Sequence, residues 1–380
     1  MSTRLLLIGD VHLREGEQLD DIESCLAFAA RVADERQVDG VLLAGDLFEG
    51  KSTPAERYVA GAFLADLRRP VVVIKGNHDQ AGELRVFRHY PDVAVAEQPE
   101  ILNLGGVNII CVPWPERAFL AANGFAGETA DAAGSAALAA LLRGTVATAT
   151  HRHPPGNPFV ILAHLQVLGA ISSSAQPMIG RAIEAVLGDL QDLGAAAVVL
   201  GHVHKPQELA PGVEYVGSLT CHDFGEEDEE KRIGILTGED DGTAAWEWIP
   251  VPCRRWVTIE AKVTAGAIVA ESENEGPWFA APEDSVLFEV ADCNLRYRYR
   301  CTEDEAHLFD HAAIERRFAA AHTLKIVPTI QHTARVRAAE VAAAVTVADK
   351  VHAWGGATGT VITPAHLSKL EQLESEASHA

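Results

Sequence analysis

Five apolar runs in this sequence end in side chains that bind metals or move protons. "LLIGDVH" ends in Asp10 and His12, and "LLAGDLF" delivers Asp46. "VIKGNHD" ends in Asn77, His78 and Asp79. "VILAHL" delivers His164, and "VVLGHVH" ends in His202 and His204. Alternate residues of an extended chain point the same way, so His202 and His204 converge on one small object. Two carboxylates, one amide and four imidazoles, with His78 left over, suit two divalent ions of intermediate hardness. Mn²⁺, Fe²⁺ and Zn²⁺ accept mixed nitrogen and oxygen donors, whereas Ca²⁺ and Mg²⁺ prefer oxygen. Asp46 falls between the other groups and is the natural bridging carboxylate. Two ions about 3.5–4 Å apart clamp a phosphoryl group and activate a water for in-line attack.

Each part alone has a plainer reading. Asp10-x-His12 is a common strand-end turn, Gly-Asn favours turns, and a lone His164 is a core histidine. The ordered series on successive strand ends has no such explanation. His151 and His153 repeat the H-x-H spacing in "HRHPP", but a Pro-rich loop makes them surface residues. The six cysteines form no C-x-x-C pair and read as buried thiols in a reducing cytoplasm.

The elements must bring these ends to one rim. Residues 5–9, "VDGVLLAGD" and "PVVVIKG" read as strands. Between them run a helix over 19–36, with Ile22, Leu26, Ala29 and Ala33 on one face, and a helix opened by "TPAE". In that opening Thr53 is the N-cap, Pro54 lies in the first turn and Glu56 closes a capping box. This β-α-β-α-β alternation predicts an α/β fold with parallel strands, whose carboxyl ends carry the ligand site. Further strands are expected at 106–112, 158–163, 195–201, 213–217, 232–237 and 244–251. Helices are expected near 135–150 and 181–193. A boundary is expected at 252–255. Beyond it come strands "VTIEAKV", "SVLFEVADC", "LRYRYRC" and "TLKIVPTIQ", a helix from "TEDE" to about Ala321, and closing helices over 338–354 and 364–375.

The series "GDVH…GDLF…GNHD…H…GHVH" resembles the motif signature of the calcineurin-like metallophosphoesterases over about 1–250. That resemblance implies a four-layer αββα sandwich. It also implies that Asp10, His12, Asp46 and His204 hold one metal, and Asp46, Asn77, His164 and His202 the other. Mn²⁺ is the first expectation, with Fe²⁺ or Zn²⁺ as alternatives. His78 is then the non-ligand histidine that stabilises the phosphorane or protonates the leaving oxygen, a sensible task for an imidazole near neutral pH. Asp79 is expected to orient it. "LGHVHKPQ" and "VEYVGSLTCHDFGEEDEEKRIGIL", with Gly217, Ser218 and Lys231, resemble the SbcD-type nuclease subunits that partner an SbcC-type ATPase. A nuclease domain over 1–254, a small α+β capping domain over 255–335 and an ATPase-docking helical segment over 336–380 are implied, with DNA single strands or duplex ends as substrate and a homodimer as assembly.

The net charge is −23, from 31 basic and 54 acidic residues among 380. It argues against broad adhesion to nucleic acid but not against a local site. "GEEDEEK" at 225–231 reads as solvation. Arg296, Arg298 and Arg300 alternate on one strand face and are candidate phosphate holders. Leu295, Tyr297 and Tyr299 lie opposite. Stripes of Val341, Val345, Ala348 and His352, and of Leu367, Leu370 and Leu373, suit either mutual packing or a partner coiled coil. No apolar run is long enough to span a bilayer, and the N-terminus lacks a signal peptide's pattern. Two other readings stay open: a cyclic-nucleotide or phosphomonoester hydrolase, and a non-catalytic adaptor for DNA ends or the ATPase.

Overall fold

The structure, a computed structural model, describes residues 3–16, 18–116, 132–152, 158–173, 183–238, 242–264, 267–271, 290–331 and 339–377. These fall into two compact units. One takes its residues from 1–259, 281–297 and 315–325; the other takes its residues from 260–280, 298–314 and 326–380.

The strands in chain order are β1 (Arg4–Ile8), β2 (Gly40–Leu43), β3 (Val71–Ile74), β4 (Val93–Ala96), β5 (Glu100–Leu104), β6 (Val107–Val112) and β7 (Phe159–His164). They continue with β8 (Gln166–Val167), β9 (Glu184–Ala185), β10 (Ala197–Gly201), β11 (Gln207–Ala210), β12 (Val213–Tyr215), β13 (Arg232–Gly238) and β14 (Ala244–Pro250). The last four are β15 (Trp256–Thr264), β16 (Ala267–Glu271), β17 (Asn294–Thr302) and β18 (Thr323–Gln331).

The first unit contains two six-stranded sheets, ordered β14-β13-β1-β2-β3-β4 and β11-β12-β10-β7-β6-β5. β1 to β4 pair in parallel, as do β6, β7, β10 and β12. Both faces of each sheet are covered, which is why the parallel strands are almost wholly apolar. Leu6, Ile8, Val41, Leu43, Val71 and Val73 pack with Ile22, Leu26, Ala29 and Ala33 of the helix Leu19–Glu35 and with the helix Pro54–Leu67. Leu5, Leu7, Leu42 and Val72 face Ile109, Val160, Leu162 and Val199 of the second sheet. Beyond that sheet, Ile161, Val198 and Leu200 pack on Leu138, Leu142 and Val146 of the helix Ala132–Arg152. The layers therefore run α, β, β, α.

The capping box forms as its residues predict: Glu56 N–H donates to Thr53 Oγ1, and Thr53 N–H donates to Glu56 Oε2. Gly9 and Gly201 let the two sheets converge at the rim. A methyl on Gly9 would overlap the Gly217 carbonyl, and one on Gly201 would overlap the Ala44 carbonyl.

A four-stranded sheet, ordered β16-β15-β17-β18, follows the two large ones. Pro328 sits in β18, an edge strand, where a missing N–H is tolerated. The helix expected from "TEDE" is interrupted. A 3₁₀ turn at Ala306–Leu308 and a helix at His311–Arg317 flank extended Phe309, whose ring stacks on Tyr299 at 4.0 Å. The helix expected over 181–193 is shorter. Among the described residues it covers only Leu187–Gln191, with β9 before it. In "SVLFEVADC", 285–289 lie outside the described residues, and 290–293 form a turn closed by Cys293 N–H on the Val290 carbonyl.

The helix expected over 338–354 is also split, into Ala339–Ala343 and Val347–Thr358. Thr346 caps the second by accepting from Asp349 N–H. The stripe through Val345 is thereby broken, and that side chain is 90% exposed. Val351 and Gly355, not Ala348 and His352, lie inward on this helix, and Leu367 and Leu370 are half-buried on the helix Pro364–Ala377. All six cysteines are free thiols, and only Cys253 is not fully buried. No described helix is long and apolar enough to cross a membrane.

Candidate metal centre

The strand ends meet at one rim of the first unit. Asp10 and His12 follow β1, Asp46 follows β2, and Asn77 and His78 follow β3. His164 ends β7, and His202 and His204 follow β10. Backbone hydrogen bonds tie these loops together. Val11 and His12 N–H groups donate to the Asp46 carbonyl at 3.1 and 2.9 Å. His202 N–H donates to Asp10 Oδ1 at 2.8 Å, and His78 N–H to Asp46 Oδ1 at 2.7 Å. His12, Asp46 and His202 all have positive φ, at 49°, 49° and 102°. Non-glycine residues seldom hold that conformation except where surrounding structure enforces it, as at functional sites.

The four histidines are each aimed by a partner on the ring nitrogen turned away from the cluster. His12 Nδ1 lies 2.6 Å from Glu49 Oε2, and His204 Nδ1 2.8 Å from Glu226 Oε1. His164 Nδ1 lies 2.7 Å from the Ala44 carbonyl, and His202 Nε2 3.1 Å from Gln166 Oε1. With that partner taking the N–H of a neutral ring, the other nitrogen turns a lone pair inward, ready for a cation. Such outer partners fix the tautomer of metal-binding histidines.

Those inward nitrogens face one another and side-chain oxygens. His204 Nε2 and His12 Nε2 are 3.1 Å apart. His164 Nε2 lies 3.1 Å from Asp46 Oδ2 and 3.0 Å from Asn77 Oδ1, and His202 Nδ1 lies 2.7 Å from the same amide oxygen. Asp10 Oδ2 is buried with no hydrogen-bond partner. Lone pairs facing lone pairs in a buried site call for positive charge between them. The donor atoms of Asp10, His12 and Asp46, and those of Asp46, His164 and His202, form two groups, each within 4.8 Å internally. Asp46 belongs to both. The residues therefore fit two divalent ions sharing Asp46.

The electrostatics agree. Burial opposes charge on His164, yet the Asp46 and Asp10 carboxylates outweigh it and raise its pKa to about 9, so without an ion a proton on His164 supplies the positive charge that the site demands. Burial and the neighbouring His164 push His202 down to about 3. Burial would raise Asp46, but His164 and His12 hold it below the usual carboxylate range. This pocket of carboxylates thus attracts cations while keeping His202 neutral, the state in which imidazole binds metal.

His78 stands at the open side, 39% exposed in its side chain, with its ring 4.8 Å from that of His12. It lines a cleft of about 280 Å³ together with Asp46, Ser173, His202, His204 and Glu226. Asp79 does not orient His78. Its Oδ1 accepts from Phe48 N–H at 3.0 Å and its Oδ2 from Gly76 N–H at 2.9 Å, so it braces the Asp46 and Asn77 loops instead. Burial and the nearby Asp46 raise its pKa to about 6.

The acidic stretch is not merely solvation. Glu226 is buried, holds His204 and joins Glu229 on the buried Lys231 ammonium at 2.9 and 2.8 Å. Nor do the three arginines form an open face. Arg296 bonds Thr258 Oγ1 and lies 3.7 Å from Glu227, and Arg298 pairs with Glu260 at 2.9 Å. Arg300 alone is simply exposed. His151 is exposed at a helix end, and His153 lies outside the described residues. Glu49, Gln166 and Glu226 are the residues that sequence reasoning missed. Only Gln166 left a signal, two residues after His164 and hence on the same side of an extended chain.

Residues 3–206 match the family model described as calcineurin-like phosphoesterase. The chain belongs to that family. This calcineurin-like phosphoesterase is 24% identical over 316 residues to the SbcD component of the SbcCD nuclease of Bacillus subtilis (strain 168), covering 72% of this chain and 77% of that one. It is 30% identical over 254 residues to the protein of the same name from Rhodobacter capsulatus, covering 57% and 60%. Among solved structures, a purple acid phosphatase from yellow lupin seeds aligns with a TM-score of 0.42 at 16% identity, over 66% of this chain and 52% of that one. The chain is a phosphoester-hydrolysing enzyme.

Proposed function

We propose that the chain is a metal-dependent DNA nuclease that works with an SbcC-type ATPase on DNA ends in repair or recombination in the cytoplasm. The observation that carries the metal site is the set of four imidazoles turned inward by Glu49, Glu226, Gln166 and the Ala44 carbonyl. The similarity to two SbcCD nuclease components supports DNA as the substrate. Asp10, His12, Asp46 and His204 would hold one ion, and Asp46, Asn77, His164 and His202 the other, with Mn²⁺ the first candidate. Two bound divalent ions would neutralise the phosphodiester and lower the pKa of the attacking water. His78, at the open cleft, gives its proton to the leaving oxygen. Asp79 keeps the loops of Asp46 and Asn77 in register. Residues 1–254 form the nuclease domain, 255–335 a capping domain and 336–380 the ATPase-docking segment, and the working assembly is a homodimer. The arginines of β17 have no part in this proposal, since Arg296 and Arg298 already have acidic partners.

The test is cleavage by protein stripped with chelator and then reloaded with Mn²⁺. Degradation of single-stranded DNA or duplex ends, absent before reloading, supports the nuclease. Cleavage of a chromogenic diester without DNA cleavage would instead make it another phosphoesterase. No hydrolysis of either, with metal bound, would leave an adaptor.

A further inference from the structure

His222 is not among the ligands proposed above, yet its ring lies against two of them. Its ring centroid is 4.8 Å from that of His12 and 4.7 Å from that of His204. A ring nitrogen of each of these three histidines falls in one group whose donor atoms are all within 4.8 Å of one another. Nε2 of His222 is buried and has no hydrogen-bond partner. An imidazole nitrogen left so in a protein interior calls for an explanation, because desolvating a polar atom without a partner costs free energy.

The backbone around His222 is fixed. Its N–H donates to Glu226 Oε2 at 3.0 Å, and its carbonyl accepts from Gln18 Nε2 at 3.3 Å. Glu226 thus holds the Nδ1 of His204 through one oxygen and, through the other, both the main chain of His222 and the Lys231 ammonium. A single carboxylate therefore ties the His204 ring to the main chain that carries His222. Neither neighbouring histidine relieves His222, since His12 and His204 have already committed Nδ1 to Glu49 and Glu226. Their remaining nitrogens face each other, His204 Nε2 lying 3.1 Å from His12 Nε2, and neither forms a hydrogen bond with His222 Nε2.

We propose that His222 is a further nitrogen ligand of the ion held by His12 and His204. The inference rests on the two-metal reading above. It makes that position richer in nitrogen than its partner, with three imidazoles beside Asp10 and Asp46. Nitrogen donors favour borderline transition ions over oxygen-preferring Mg²⁺. His222 therefore biases this position toward a divalent transition ion.

A crystal structure of the full chain soaked with Co²⁺, with anomalous maps locating the ions, tests this directly. The expected result is a His222 nitrogen at about 2.0–2.3 Å from the ion beside His204, near the usual metal–imidazole distance. A water between them, or a ring nitrogen well outside that distance, overturns the proposal. Equilibrium dialysis of His222→Leu supplies a second reading. Co²⁺ affinity at one of two positions should fall about 10–100-fold, by analogy with the loss of metal-site partners, while Mg²⁺ affinity changes less. Equal weakening toward both ions would mark His222 as structural, and unchanged Co²⁺ affinity would also overturn the proposal. His204→Ala is the control. If wild type binds no pair of ions, or His204→Ala loses none, the two-metal reading itself fails; if both behave and His222 does not, only this inference fails. Should His222→Leu not fold, the wild-type crystal structure still decides.

Discussion

At the scale of single residues, His78 and Glu226 make opposite predictions. His78 lines the cleft, with its Nδ1 3.6 Å from Glu49 Oε1. His78→Ala should keep both ions in equilibrium dialysis while turnover falls about 10²–10⁴-fold, the usual scale for a general acid. Loss of an ion in that variant would make His78 a ligand. Glu226 aims His204. Glu226→Gln should weaken one ion by about 10–100-fold and lower turnover only as far as metal loss explains. Excess Mn²⁺ should restore the rate, and failure to do so would assign Glu226 a role beyond holding His204. The ligands were legible because each follows an apolar strand, and a strand end has a fixed place in an α/β sheet. Their outer partners were not. Glu49 is 37 residues from His12, and Glu226 is 22 from His204. Only the fold brings them together, so Glu226 looked like one more surface acid.

At the scale of elements, the strand ends can converge only if the backbones there come close. Gly201 ends β10 against the Ala44 carbonyl and the His164 ring. Gly201→Ala would force that backbone apart. It should destabilise the metal-free protein by about 1–3 kcal/mol, the usual cost of overpacking, seen as a lower urea midpoint with an unchanged slope, and it should also reduce bound metal. An unchanged midpoint would mean the two sheets have room to yield at the rim. The alternation of apolar strands and helices predicted the parallel sheets because both of their faces are covered. The same reasoning failed where tertiary contacts decide. Phe309 leaves the expected helix to stack on Tyr299, and Thr346 starts a new helix where periodicity suggested one continuous helix. Neither a stacking partner nor a cap that interrupts a pattern is visible in hydrophobic spacing.

At the scale of the whole molecule, exposed apolar side chains lie on the closing helices and on the connections between them. Val345 is 90% exposed, Val361 79% and Trp354 49%. A helix of 14 residues such as Pro364–Ala377 is marginal alone in water. Its half-buried Leu367 and Leu370 sit beside Leu373, which is 50% exposed. Side chains scattered in this way can remain in solvent at little cost, so exposure alone does not identify a partner. The proposed ATPase coiled coil would offer such side chains a surface, because an amphipathic helix lays its apolar face into a groove or against another helix. The proposed ligands belong to the first unit, and the described residues of 339–377 belong to the second. Deleting 336–380 should therefore leave the stoichiometry of bound Mn²⁺ and cleavage of single-stranded DNA unchanged. It should abolish capture by the purified ATPase, and with it ATP-stimulated cleavage of duplex ends. Undiminished capture would sink the docking role. A truncated protein with a lower melting temperature and lost metal would mean that these helices stabilise the fold itself, and their exposed valines would then need another explanation.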